Sequence, residues 1–108
     1  MKKLVFAEIE FSKRALEALE ESKTSLNVAL TNQFESLSQL KFKEGLDLAK
    51  QKMYTKVSDK LFESTEEVEL SDEQFDFMFD LFSTVQAPPN LYTAPIAEYL
   101  EQLKLIKE

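Results

Sequence analysis

Eight carboxylates, Glu63, Glu66, Glu67, Glu69, Asp72, Glu73, Asp76 and Asp80, fall within eighteen residues, with no basic side chain among them. They are the only plentiful groups in this chain that could do chemistry, and their oxygens would suit calcium or magnesium. A calcium loop, however, needs acids at alternate positions around a glycine and a closing glutamate, and this segment has no glycine. The composition therefore favours a solvated acidic surface over a divalent site. A third use is an acidic face that imitates a phosphate backbone and so occupies a nucleic-acid-binding protein.

Other chemistries are narrowed by what is missing. Without cysteine there is no disulfide, thiol nucleophile or thiolate site, and without histidine the commonest metal ligand and general base is lost. A single glycine, Gly45, cannot build either of the standard glycine-rich phosphate loops. Tyr54, Tyr92 and Tyr99 could act as acids or stacking platforms, but helical or cap positions explain them more simply. Basic residues interleave with aromatics only at Lys41, Phe42, Lys43 and at Lys52, Tyr54, Lys56, too sparsely for an RNA-binding surface. No catalytic residue, metal ligand or cofactor site is assigned, and the chain is expected to be nonenzymatic.

The elements that must position these groups are helical in pattern. A chain of 108 residues that is 44% hydrophobic and 31% charged collapses around one modest core, which predicts a single helical domain over residues 1–108. One glycine and three prolines leave too few breakers for a sandwich or barrel. Charge is uneven. Residues 1–60 hold 11 basic and 9 acidic side chains, whereas residues 61–108 hold 2 and 11. The acidic half would repel nucleic acid, so no direct nucleic-acid partner is expected.

From Val5 to Leu40 a seven-residue repeat runs through Val5, Ile9, Ser12, Leu16, Leu19, Lys23, Leu26, Leu30, Gln33, Leu37 and Leu40. Eight of these eleven are apolar, which predicts a long N-terminal helix or coiled-coil seam, with polar Lys23 and Gln33 setting register. A strand competes at the start, since Val5, Ala7, Ile9 and Phe11 alternate with their neighbours, and Ser12 would then cap a helix beginning at Lys13. Residues 3–11 fit either a short β-strand or helix. The stripe restarts at Phe42, Leu46, Ala49, Met53, Val57 and Leu61, slipping at Gly45. This predicts a first helix ending near Lys41 to Glu44 and a second reaching about Glu63, either as one long element or as a helical hairpin. Lys50, Lys52, Lys56 and Lys60 line its polar side, as a solvated face or as a patch for an acidic partner.

Residues 64–70, STEEVEL, read as a connector or short strand. Ser71 and Gln74 then form a capping box, with Leu70 and Phe75 placed as a hydrophobic staple and Asp72 and Glu73 in the first turn, so a helix begins at Asp72 and runs to about Val85. On it Phe75, Met78, Phe79, Phe82 and Val85 share an arc of about 120°, and Phe77 with Leu81 widens the apolar face to roughly 200°. The first set is core. Phe77 and Leu81 exceed what one core needs and are assigned to a partner, with Asp76 and Asp80 beside them as the charged part of that contact. QAPPN, residues 86–90, ends this helix. Thr93 is expected to cap a last helix with apolar positions Ile96, Tyr99, Leu100, Leu103 and Ile106.

Residues 1–11, MKKLVFAEIEF, are too weakly apolar for a signal peptide, and no run approaches the roughly 18 apolar residues of a membrane helix, so a cytoplasmic protein without membrane contact is expected. MKKLVF, twelve lysines to one arginine, and VELSDEQFDFMF followed by a proline-containing turn and IAEYLEQL together resemble small, uncharacterised accessory proteins of bacteriophages that infect low-GC Gram-positive bacteria. That resemblance covers mainly residues 64–103 and implies a virion assembly factor or an inhibitor of a host protein, acting in the host cytoplasm. The sequence thus points to an interaction protein that docks on a protein partner or on a second copy of itself as a dimer. The second reading is an acidic inhibitor, a nucleic-acid mimic, of a host nucleic-acid-binding or defence protein.

Overall fold

Two strands and five helices make up the chain in a computed structural model that describes residues 1–106: β1 (Lys2–Val5), α1 (Lys13–Glu21), α2 (Leu26–Lys41), α3 (Leu48–Glu63), β2 (Glu67–Leu70), α4 (Asp72–Thr84) and α5 (Thr93–Leu105). The fold is mainly helical, with a small antiparallel strand pair as its only described sheet. The predicted long N-terminal helix is replaced by a strand, a 3-10 turn at Phe6–Glu8 and two separate helices.

Residues 3–11 take the strand option at their start. β1 pairs with β2 in the register Lys2↔Leu70, Lys3↔Glu69, Leu4↔Val68 and Val5↔Glu67. Strand alternation buries Leu4, Val68 and Leu70 and leaves Lys3, Glu67 and Glu69 outside. Ser12 then caps α1, its hydroxyl accepting from the Ala15 N–H at 3.2 Å.

The seven-residue seam breaks at Lys23. Ser22 folds its hydroxyl back to the Ala18 carbonyl at 3.0 Å, and the N–H groups of Lys23 and Thr24 bond to the carbonyls of Glu20 and Leu19. This is a Schellman stop, and it places Lys23 at φ 56° in the left-handed region. The Ser22 hydroxyl also bonds the Leu19 carbonyl and the Thr24 hydroxyl, and short polar side chains of this kind favour helix ends over helix interiors, which is why a polar position in the repeat ends the helix instead of setting register. Leu19, Leu30 and Leu37 of the seam are buried, whereas Leu16 and Leu40 stay 48% and 36% exposed.

α2 and α3 form a helical hairpin. Phe34 stacks on Tyr54 with ring centres 5.5 Å apart, and the Asn27 side chain donates to the Phe62 carbonyl at 2.6 Å. The slip does fall at Gly45, whose φ of 101° suits only glycine. The second helix starts later than the stripe suggested, at Leu48 instead of Phe42, because Asp47 caps it by accepting from the Lys50 N–H at 2.9 Å.

α4 is the central element, packed against α2, α3, β2 and α5. Its capping box forms as expected, with the Gln74 N–H donating to the Ser71 hydroxyl at 3.2 Å and the Ser71 N–H to the Gln74 side chain at 3.0 Å. One core draws on both strands and all five helices, with Leu4, Ala15, Leu30, Leu61, Val68, Phe75 and Leu100 among its members. The α5 cap departs from expectation: Thr93 is the first helical residue, and the Asn90 side chain accepts from the N–H groups of Tyr92 and Thr93, both at 2.8 Å.

Candidate interaction surface

The broad apolar face of α4 is divided between two neighbours of its own chain. Phe77 turns towards α2, with its ring centre 6.0 Å from those of both Phe34 and Phe42. Phe79 turns towards α5, beneath the Lys104 ammonium at 4.7 Å. Leu81 is 1% exposed and Phe77 is half-buried. Leu81 is therefore a core residue and not a partner contact, and Phe77 is committed to an aromatic cluster within the fold. The helical hairpin and α5 sandwich α4 between them.

Asp76 and Asp80 are exposed, as expected of a charged surface, but each has a cation of this chain beside it. Asp72, Asp76 and Asp80 stand four residues apart on one face of α4. The chain's amino terminus lies 3.3 Å from Asp72, Lys104 lies 3.3 Å from Asp76, and Lys41 at the end of α2 pairs with Asp80. Exposed pairs of this kind each contribute about 0–1 kcal/mol to stability. Their stronger consequence is electrostatic: the row is neutralised from three different elements. Lys2 adds to the same corner, donating to the carbonyls of Leu103 at 2.8 Å and Ile106 at 2.6 Å near the end of α5. Among the acids of the original cluster, Glu67 pairs with Lys3 at 3.2 Å, while Glu63, Glu66, Glu69 and Glu73 have no ion-pair partner among the described residues. No group of three or more metal-ligating side chains comes together among the described residues.

Of the lysines on α3, Lys60 is drawn into the fold, donating to the Glu69 carbonyl at 3.2 Å and the Gln74 side chain at 2.8 Å. Burial pushes the phenols of Tyr54 and Tyr99 above their ordinary value, aided by the charge of Glu35 beside Tyr54 and of Glu8 beside Tyr99. Both phenols are thereby made weaker acids, and both are held: Tyr54 donates to Glu35 at 3.4 Å, and Tyr99 accepts from the Val5 N–H at 2.8 Å.

A further open surface lies between the second half of α2 and the connector over residues 85–92. Two clefts of about 420 and 410 Å³ meet at Leu40. Leu37, Ala87, Pro88 and Pro89 line the first; Val85, Lys41 and Lys43 line the second. The far end of the connector is tied to α2: Asn90 donates to the Pro88 carbonyl at 3.0 Å and to the Thr93 hydroxyl at 2.9 Å, while Thr93 donates to Gln33 of α2 at 2.9 Å. None of these groove residues stood out from sequence as a site. The available signals were Leu40, the last position of a seam with nothing assigned to cover it, and the tandem prolines, which hold the connector extended beside it.

No described helix is long and apolar enough to cross a membrane. In comparison with known proteins, no family model, curated protein or solved structure matches this chain.

Proposed function

We propose that this chain is a nonenzymatic protein-interaction protein that acts by docking on another protein. The observation that carries this reading is the groove at Leu40, where an exposed leucine joins two clefts walled by a helix and by a connector pinned through Asn90, Thr93 and Gln33. A preformed, partly apolar surface binds a partner without first having to order itself. The phage-like character of the sequence suggests the setting, an accessory or assembly factor working in a host cytoplasm.

The acidic-inhibitor reading narrows to Glu63, Glu66, Glu69 and Glu73, since Asp72, Asp76 and Asp80 are neutralised by cations of the same chain. A nucleic-acid mimic needs a continuous uncompensated row of charge, and the row on α4 is compensated.

Two measurements together test the proposal: the mass of the protein in solution, and capture of partners from a bacterial lysate with the stoichiometry of each complex determined by sedimentation. A stoichiometric protein complex or a defined homo-oligomer is the expected result. Capture of a nucleic-acid enzyme through a contact that weakens steeply with salt would favour the inhibitor instead. A monomer that forms no stoichiometric complex would overturn both.

A further inference from the structure

The groove at Leu40 has a chemical polarity of its own. The whole chain carries a net charge of −7, yet neither cleft is lined by a carboxylate. One end is apolar, with Leu37, Ala87, Pro88 and Pro89, and the other holds Lys41 and Lys43. Lys41 is matched by Asp80, but Lys43 has no ion-pair partner among the described residues and is exposed. A cation standing free at one end of an apolar groove, on a protein that is otherwise acidic, selects for a negative charge on whatever lies there.

The wall opposite α2 adds a second constraint. Val85 leaves α4 in an extended conformation, φ −82° and ψ 130°, and the N–H groups of Gln86 and Ala87 have no hydrogen-bond partner among the described residues. Pro88 and Pro89 have no N–H to offer. The proline after Ala87 holds it extended, and successive N–H groups of an extended chain point to opposite sides, so a segment laid along one side of the connector meets one of these two donors. Main-chain donors of this kind are met by the carbonyls of an extended segment lying alongside, as in strand addition, with side chains directed into flanking pockets. Helical ligands have no free carbonyls along their length to meet them.

We infer that the groove between α2 and the connector binds an extended segment of another protein, with apolar side chains against Leu40, Ala87 and Pro88 and an acidic side chain facing Lys43. This rests on the interaction reading above and names both the surface and the chemistry of the partner.

Selection of random peptides on the intact protein tests it, using peptides of about twelve residues, which span about 40 Å when extended at 3.3 Å per residue. The enriched peptides are expected to share apolar residues next to aspartate or glutamate. Their affinity should fall roughly tenfold or more in Leu40→Lys and in Lys43→Glu, as for anchors in a docking site, and should be unchanged in Lys56→Glu on the outer face of α3. Circular dichroism of each variant should match the parent, since Leu40, Lys43 and Lys56 are all exposed. Failure to enrich any peptide, a consensus without acid, or binding that survives either groove substitution would overturn the inference. Peptides that bind but ignore both substitutions would leave the interaction reading standing and remove only this groove. A solution dimer abolished by Leu40→Lys would give the groove to a second copy and overturn it as well.

Discussion

The phenol oxygen of Tyr99, on α5, accepts the backbone N–H of Val5, on β1, at 2.8 Å across 94 residues of sequence. Val5 pairs with Glu67 on one edge of β1, and its N–H faces away from the sheet, so this bond supplies what a third strand would otherwise supply. Tyr99→Phe keeps the ring in the core and deletes the acceptor. A partly buried donor left unmet costs about 1–3 kcal/mol. Urea unfolding of the two proteins should show that loss as a lower midpoint with an unchanged slope.

The two held phenols predict how stability falls in alkali. Both Tyr54 and Tyr99 are raised in the folded state, so near pH 10 the native chain binds more protons than the unfolded one. Their contribution to stability is therefore fully present below the unfolded pKa and is lost as pH rises through the folded value. Absorbance of the phenolate near 295 nm, followed against pH, should show in Tyr54→Phe and Tyr99→Phe that the signal removed is one titrating above about pH 10. A signal removed at or below pH 10 would contradict the burial that raises them.

Lys23 is held at φ 56° to close α1, a conformation that costs an ordinary L-residue roughly 1–2 kcal/mol and glycine almost nothing. Lys23→Gly should stabilise the fold by up to about 1 kcal/mol, the greater freedom of glycine in the unfolded chain offsetting part of the gain. Thermal unfolding measures it directly. Destabilisation would mean that the stop at Lys23 does not form.

Leu81 and Phe77 give the sharpest contrast between a core and an interface. Leu81→Ala removes a side chain that is 1% exposed and should cost about 2–5 kcal/mol. Phe77→Glu should unfold or strongly destabilise the protein, because its ring lies between Phe34 and Phe42. An interface residue would instead leave the helical circular-dichroism signal intact.

Legibility of the sequence followed the range of the forces involved. The capping box at Ser71, the cap at Ser12 and the slip at Gly45 are decided within a few residues, and each forms where the residue types place it. Residues 64–70 and 3–11 were ambiguous because each strand is stable only through the other, a pairing about 65 residues apart in sequence that no local pattern carries. The seam from Val5 to Leu40 misled because a seven-residue repeat records which positions are apolar and not whether the backbone between them is continuous. Two serines and a threonine around Lys23 were the signal for the break. On α4 the width of the apolar face was read correctly and its destination was not. Assigning Leu81 to a partner counted cover for one side of α4 only, whereas α2 and α3 pack against it as well as α5. The acidic residues were likewise visible, but their cations come from the amino terminus, α5 and α2, positions that only the folded chain brings alongside.

The central claim is that this protein meets its partner at the α2–connector groove and not on the acidic face of α4. Amide chemical-shift mapping during titration with a selected peptide tests it most directly. The account predicts that the perturbed amides cluster at residues 37–43 and 84–87, with Gln86 or Ala87 among the largest changes and residues 72–80 little altered. Perturbations concentrated at Asp72, Asp76 and Asp80, with residues 84–87 silent, would contradict it.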